Sequence, residues 1–337
     1  MQDLKLEAAA LHEDALVWDA HACLPLHPDA DIGALERHRA NGVDFVSINV
    51  GMDMNPLEQI MAVIASFRAQ LRARPEAFVQ VEDAHDVRRA KLEKKLAVAF
   101  DLEGGVPLGE RPEMVQLFYD LGVRQIHLAY NRNNSIGGGC YDEDIPLSPL
   151  GRRIVEAINQ AGMLMDCSHT GYRTSMDIMA VSKAPVIFSH ANPRALADNG
   201  RNIRDEQIDA CVATGGVVCV NGIGRFLGDP EARTANILRH IDYLVQRVGA
   251  DHVGLGLDYE YELGLDQDPP GFDRAYWFPP AYGYGQRPRY RNAVPEQFPE
   301  ITLGLLGMGY AEADVRNILG QNMLAVAERV WRPRAPA

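Results

Sequence analysis

Short apolar runs recur along the chain at about 15–21, 43–49, 96–102, 123–130, 162–168, 184–190, 215–221 and 252–258. Most are near-continuous rather than strictly alternating, as expected of parallel strands buried on both faces. Between them the apolar positions shift to helical spacing. Leu57, Ile60, Met61, Ile64, Phe67 and Leu71 form one stripe. Ile237, Leu238, Ile241, Leu244, Val245 and Val248 form another, stopped by Gly249. Further helices are predicted over 82–94, 111–121, 149–161, 171–182 and 205–214. Strand–helix alternation of this kind predicts an α/β fold, a (β/α)8 TIM-type barrel rather than an open doubly wound sheet. No Gly-x-Gly-x-x-Gly opens a helix after the first strand, which argues against a dinucleotide-binding domain.

No low-complexity linker divides the chain, so residues 1–337 are expected to form a single barrel domain. An irregular stretch rich in aromatic residues and proline is expected over about 259–299, after the eighth strand. It either contacts substrate or packs as surface against the barrel or a neighbouring subunit. The formal net charge of −13 argues against a nucleic-acid or anionic-membrane partner, which would repel it. Five cysteines without a close Cys-x-x-Cys pair fit a reducing compartment, and residues 1–13 lack the apolar core of a signal peptide. No run approaches the roughly 20 apolar residues needed to span a bilayer. The expected location is cytoplasmic.

Several strands end in side chains that bind metals or move protons. In a barrel of this kind the C-terminal strand ends open on one face, so these residues meet. The first run leads to His21 and Cys23, the third to Glu103, the fifth to His169, the sixth to His190 and the eighth to Asp258. Imidazoles, a thiolate and a carboxylate able to bridge suit one or two zinc ions. Asp258 is then free to act as general base or proton shuttle. A lone strand-end histidine is more often a hydrogen-bonded core residue. The paired Ser-His endings at 169 and 190 reverse that expectation. Asp19 and Asp101 precede the proposed ligands and are candidates for orienting an imidazole. His252, at the start of its strand, reads as structural, and nothing marks His12, His27, His38, His85 or His240 as ligands. Cys140, Cys167, Cys211 and Cys219 read as small, buried or semi-buried residues.

With these residues in place the chain resembles the membrane (renal) dipeptidase family, metal-dependent barrels of the amidohydrolase superfamily. The resemblance rests on Asp19-Ala20-His21, Leu102-Glu103-Gly104-Gly105, and Tyr130-Asn131-x-x-Asn134 running into Gly137-Gly138-Gly139. It continues through Leu147 to Arg152, Gly162 to His169, Pro185 to His190, Gly200-Arg201-Asn202-Ile203, Asp251 to Asp258, and Gly320 to Leu324. Each piece is short; their order and spacing carry the assignment over nearly the whole chain.

The resemblance implies a zinc-dependent dipeptidase that cleaves the amide bond with metal-activated water, often tolerating a D-residue at the C-terminal position. It implies one zinc on His21, residue 23 and Glu103, and a second on Glu103, His169 and His190. It assigns Arg201 to the substrate carboxylate, Tyr130 and Asn131 to the substrate side of the site, and proton transfer to Asp258. A homodimer is likewise implied.

Three departures stand out. Cys23 occupies the usual aspartate position, so that metal site either has a thiolate ligand or is weak. Tyr130 replaces a histidine proposed to stabilise the tetrahedral intermediate; a phenol still donates one hydrogen bond. Tyr259-Glu260-Tyr261 replaces an aromatic-Asp-Gly continuation. These leave two alternatives open. One is a mono-zinc amidohydrolase acting on another small amide or N-substituted amino acid. The other is a catalytically weak ligand-binding barrel.

Overall fold

The computed structural model describes residues 2–285 and 289–333. Its strands are β1 (Trp18–Cys23), β2 (Phe45–Met52), β3 (Phe78–Gln80), β4 (Leu96–Glu103) and β5 (Val123–His127). They continue as β6 (Leu164–Asp166), β7 (Val186–Ile187), β8 (Val218–Val220), β9 (Val253–Leu255) and β10 (Tyr259–Glu260). One parallel sheet runs in the order β10-β1-β2-β4-β5-β6-β7, and β8 pairs with β9. The parallel Phe188–Val218 bridge joins the two sheets, and the Asp258 N–H donates to His21 O across the closing seam. The strands therefore form a closed ring, the expected (β/α)8 architecture.

Side-chain parity gives the barrel interior a gradient. In β4, Leu96, Val98, Phe100 and Leu102 pack outward in the larger apolar cluster, which places Ala97, Ala99, Asp101 and Glu103 inside. In β2 the inward series runs Phe45, Ser47, Asn49. The lower interior is apolar: Trp18 stacks on Phe45 with ring centroids 3.5 Å apart. Helix Asn322–Val330 closes it from below through Met323, Leu324, Val326 and Ala327, with Trp331 just beyond. Moving up each strand, inward positions turn polar while remaining buried. Such groups are stable only with partners, which they supply to one another.

The predicted helices are all present, as Leu57–Ala73, Ala84–Leu92, Met114–Asp120, Pro149–Ala161, Tyr172–Val181, Asp205–Ala213 and Thr234–Val248. Pro149–Ala161 shows why local sequence suffices there. Ser148 caps it by accepting from the Gly151 N–H, Pro149 takes the first turn, and Gly162 ends it at φ 76°. The sequence reading lacked helix Gln2–Asp14, strand β3, and the helices Gln297–Gly307 and Asn322–Val330. β3 has only three residues, pairs solely with the lower half of β4, and is too short for a periodic signal. The stretch expected to be irregular over about 259–299 carries only short regular pieces. It contains β10, the helical turns Arg274–Trp277 and Pro280–Tyr282, and the start of helix Gln297–Gly307. Its residues 286–288 lie outside the described residues. Among the described residues no helix is long and apolar enough to cross a membrane.

Two predictions follow from this packing. A Cβ on Gly256 would lie 1.9 Å from Ser189 O, beyond the end of β7, so the barrel tolerates no side chain there. Gly256→Ala is expected to destabilise the fold by about 3 kcal/mol, measured as a lower urea midpoint; an unchanged midpoint refutes the close approach. His240 lies on the buried face of helix Thr234–Val248, and burial lowers its imidazole to about 4 from 6.5. The unfolded chain then takes up this proton first as pH falls. Stability from this residue is complete above pH 6.5 and declines by about 3 kcal/mol towards pH 4. His240→Gln should show a correspondingly shallower acid loss than the wild type in pH-dependent denaturation.

Candidate metal centre

The five proposed donors meet at the upper, C-terminal mouth of the barrel. Glu103 is the hub. Its Oε1 lies 3.1 Å from His169 Nε2, 3.4 Å from His21 Nε2 and 3.5 Å from His190 Nε2. Cys23 Sγ is 3.4 Å from His21 Nε2, and Asp258 Oδ1 is 3.7 Å from the same nitrogen. The groups His21, Cys23, Glu103 and His21, His190, Asp258 each bring their ligand atoms within 4.8 Å of one another. His169 and His190 approach at 2.9 Å, Nε2 to Nε2.

Neighbours fix these rings. Asn131 Oδ1 accepts from His169 Nδ1–H at 2.8 Å, which leaves Nε2 with its lone pair facing inward. His190 Nδ1 contacts Ser189 Oγ at 2.7 Å, and Asp101 Oδ1 lies 3.3 Å from His21 Nδ1. A lone pair, a second ring nitrogen and a carboxylate oxygen this close repel one another unless a proton or a metal cation lies among them. This donor set fits a divalent metal of the zinc type.

The electrostatics agree with that chemistry. Burial, reinforced by the Arg201 charge, holds His169 well below the ordinary imidazole range; His190 is held as low by burial and by the His21 charge. Burial would lower His21 too, but Asp101 and Glu103 hold it well above that range. Burial raises Glu103 to about 7 and pushes the Cys23 thiol up. Glu103 Oε2 accepts from Asn49 Nδ2 at 2.7 Å, so a single carboxylate oxygen faces the imidazoles.

Asp258, with its carboxyl raised by burial, takes a hydrogen bond from Asn221 Nδ2 to Oδ2 at 2.9 Å. Arg201 is buried; its guanidinium donates to His190 O at 3.0 Å, while its Nε has no partner among the described residues. Tyr130 lies flat on His169, ring centroids 4.4 Å apart, and Trp277 and Phe278 each approach it at 6.2 Å. The aromatic stretch after the eighth strand thus walls the site. Tyr282 of the same stretch stacks on Tyr141 at 4.1 Å. Asn131, His169 and Asp258 all have φ near +60°. A left-handed backbone at three non-glycine residues of one site is strain concentrated where the side chains must be aimed.

Some roles differ from the sequence expectation. Asn131, expected at the substrate, is engaged within the protein: Oδ1 holds His169, and Nδ2 donates to Trp277 O. Asp101 does face a proposed ligand, His21. Asp19 instead binds His38, with His38 Nε2 3.0 Å from its Oδ2, and accepts from the Leu257 N–H. His38, which nothing in the sequence marks as a ligand, is buried between Asp19 and the Tyr261 hydroxyl. His252 is structural, with Nδ1 2.8 Å from Gly216 O.

Sequence reasoning missed Asn49, Asp53 and His127. Parity reveals His127: Ile126 and Leu128 point outward, so Gln125 and His127 point inward, as Asp101 and Glu103 do. Asp53 left no such signal. Its carboxylate, raised to about 6 by burial, accepts from the Tyr130 and Val106 N–H groups, both at 2.9 Å, and from Asn134 Nδ2 at 3.0 Å. Gly104, at φ 138°, makes room for it, since a Cβ there would lie 2.0 Å from Asp53 Oδ1.

Residues 7–279 match the membrane dipeptidase family, peptidase family M19. The chain belongs to this family. The dipeptidase tcpJ of Claviceps purpurea is 30% identical over 252 residues, 73% of this chain and 54% of that protein. An uncharacterized dipeptidase of Schizosaccharomyces pombe is 35% identical over 195 residues, 55% of this chain and 46% of that protein. The match thus spans about half the length of these curated relatives. An amidohydrolase from Pseudomonas aeruginosa shares the fold with a TM-score of 0.85 and 28% identity, over 96% of this chain and 99% of that one. A metallopeptidase from Rhodobacter sphaeroides, solved with a phosphinate mimic of the dipeptide L-Ala-D-Ala, has a TM-score of 0.77 and 21% identity, over 94% and 100%. Membership of the membrane dipeptidase family, with these grouped donors, supports a metal cofactor in this pocket.

Asp53→Ala removes the acceptor for two backbone N–H groups beneath the site. It is expected to destabilise the fold by about 3 kcal/mol in urea denaturation, whereas wild-type stability would mean that other groups satisfy those donors.

Proposed function

We propose that the protein is a zinc-dependent dipeptidase that hydrolyses the amide bond of a small dipeptide. The observation that carries this reading is a metal-type donor cluster beside a buried guanidinium, that of Arg201, which donates to His190 O and whose Nε has no partner among the described residues. His21, Cys23 and Glu103 would hold one zinc, and Glu103, His169 and His190 a second. Zinc in such a pocket polarises an amide carbonyl and lowers the pKa of bound water from about 15.7 to about 7.

The chain's own residues supply the rest. Arg201 binds the substrate carboxylate, because a planar, permanently charged guanidinium grips a carboxylate through two parallel hydrogen bonds. Tyr130 remains a phenol, since burial pushes it well above its ordinary range, and its O–H donates to the carbonyl oxygen as negative charge develops there. Asp258 takes the proton of the attacking water at Oδ1, the oxygen Asn221 does not engage, and returns it to the departing amine nitrogen. Asn131 acts through His169, holding the ring, rather than on substrate. The reading treats residues 1–337 as one barrel domain. It places the protein in the cytoplasm, in keeping with its five free cysteines.

A second reading, a mono-zinc amidohydrolase acting on another small amide or N-substituted amino acid, is favoured by two observations. Asn49 occupies the Glu103 oxygen that a bridging carboxylate would offer to the other metal. Burial also disfavours the Cys23 thiolate.

Turnover of dipeptides in a metal-loaded screen that includes L-Xaa-D-Xaa members tests the dipeptidase reading. Two zinc ions per chain in the same sample favour the binuclear form, and one favours the mono-zinc form. Asp258→Asn is expected to reduce kcat by about 100-fold or more with zinc content unchanged. Joint loss of zinc and turnover would make Asp258 a ligand instead.

A further inference from the structure

One buried histidine of this centre has no part in the scheme above. His127, at the upper end of β5, is fully buried, and its Nε2 lies 2.7 Å from Asp166 Oδ2. The other oxygen of Asp166 accepts from the Ser168 and Ser189 N–H groups at 2.9 and 3.1 Å. With Asp166 accepting on both oxygens, His127 Nε2 carries the hydrogen and donates it. In a neutral ring Nδ1 is then left with its lone pair. That nitrogen has no hydrogen-bond partner among the described residues. It points at Glu103 Oε1 from 3.8 Å, too far for a hydrogen bond.

The ring stands among the other imidazoles. It lies parallel to His169, with centroids 5.5 Å apart and planes at 28°, and its centroid is 5.4 Å from that of His190. The ligand atoms of Glu103, His127 and His169 all fall within 4.8 Å of one another. Glu103 Oε1 therefore faces four imidazole nitrogens rather than three. A carboxylate on one ring nitrogen with a free lone pair on the other is the arrangement by which proteins fix and strengthen a metal-binding histidine.

We propose that His127 is an additional metal donor, binding through Nδ1 beside Glu103 and His169, with Asp166 as its positioning residue. The inference rests on the metal-dependent reading above. It gives the centre a neutral nitrogen donor in a chain where the first strand offers a buried thiol in place of a carboxylate.

The test reads metal binding directly. His127→Gln is expected to weaken zinc binding by at least about 100-fold in competition with a chromophoric chelator, and Asp166→Asn by about 10- to 100-fold. In wild-type protein with isotope-labelled histidine, loaded with spin-half cadmium, metal–nitrogen coupling is expected at His127 Nδ1 as well as at His21, His169 and His190. The wild-type spectrum decides the matter even if the variants do not fold. Metal bound without coupling at His127 overturns this assignment and leaves the dipeptidase reading standing. A wild-type protein that binds neither zinc nor cadmium overturns both.

Discussion

A carboxylate buried inside a barrel is stable only if the groups around it compensate the loss of water, and Glu103 imposes that condition on the upper interior. Its two oxygens are turned to different neighbours. Oε2 accepts from Asn49, while Oε1 faces the imidazoles. Each imidazole in turn has its outward nitrogen set against Asp101, Asn131, Ser189 or Asp166. Asn131 and Asp166, as acceptors, fix where the lone pairs of His169 and His127 point. The interior is therefore a polar network whose innermost positions are suited to a cation and whose outer positions face protein polar groups, hydrogen-bonded at His169, His190 and His127, while His21 Nδ1 stands 3.3 Å from Asp101 Oδ1 without a hydrogen bond.

Much of the fold was legible because parallel strands buried on both faces produce long apolar runs, and β1, β2 and β4 to β9 each had one. The seven predicted helices were legible for an equally local reason: their apolar stripes and caps lie within the segment itself. β3 escaped because three residues carry no period. The N-terminal helix Gln2–Asp14 escaped because its face towards the barrel is small, with only Ala8, Leu11 and His12 buried. In the site, residues at strand ends stood out as polar letters after apolar runs. His127 did not, because Leu128 and Ala129 follow it and the apolar run continues past it. Asp19 and His38 show the complementary limit. A partner can be expected from sequence, but which of two histidines it orients depends on packing between elements far apart in the chain.

The stretch after the eighth strand matters through exclusion rather than contact number. Trp277 and Phe278 stand against Tyr130, and Tyr282 and Tyr284 against Tyr141. Arg225 lies over the Tyr284 ring at 3.9 Å. An aromatic wall of this kind lowers the local dielectric, which strengthens each hydrogen bond aimed at a developing charge. It also accounts for the raised pKa of Tyr130, Tyr141 and Tyr284, all pushed up first by burial. These hydroxyls remain donors across the physiological range.

The floor of the barrel has a consequence for the order of assembly during synthesis. Each residue discussed as a donor or proton carrier lies at or before position 258, yet the apolar floor beneath them is closed by Met323, Leu324, Val326 and Trp331. A nascent chain that has emerged as far as Asp258 holds every donor and proton carrier proposed above but still lacks the plug that keeps water from the lower interior. Emergence of Asp258 and of the plug is consequently separated by more than sixty residues of translation, roughly 3–15 s at common elongation rates. The lower interior beneath the donors is closed only when helix Asn322–Val330 has docked.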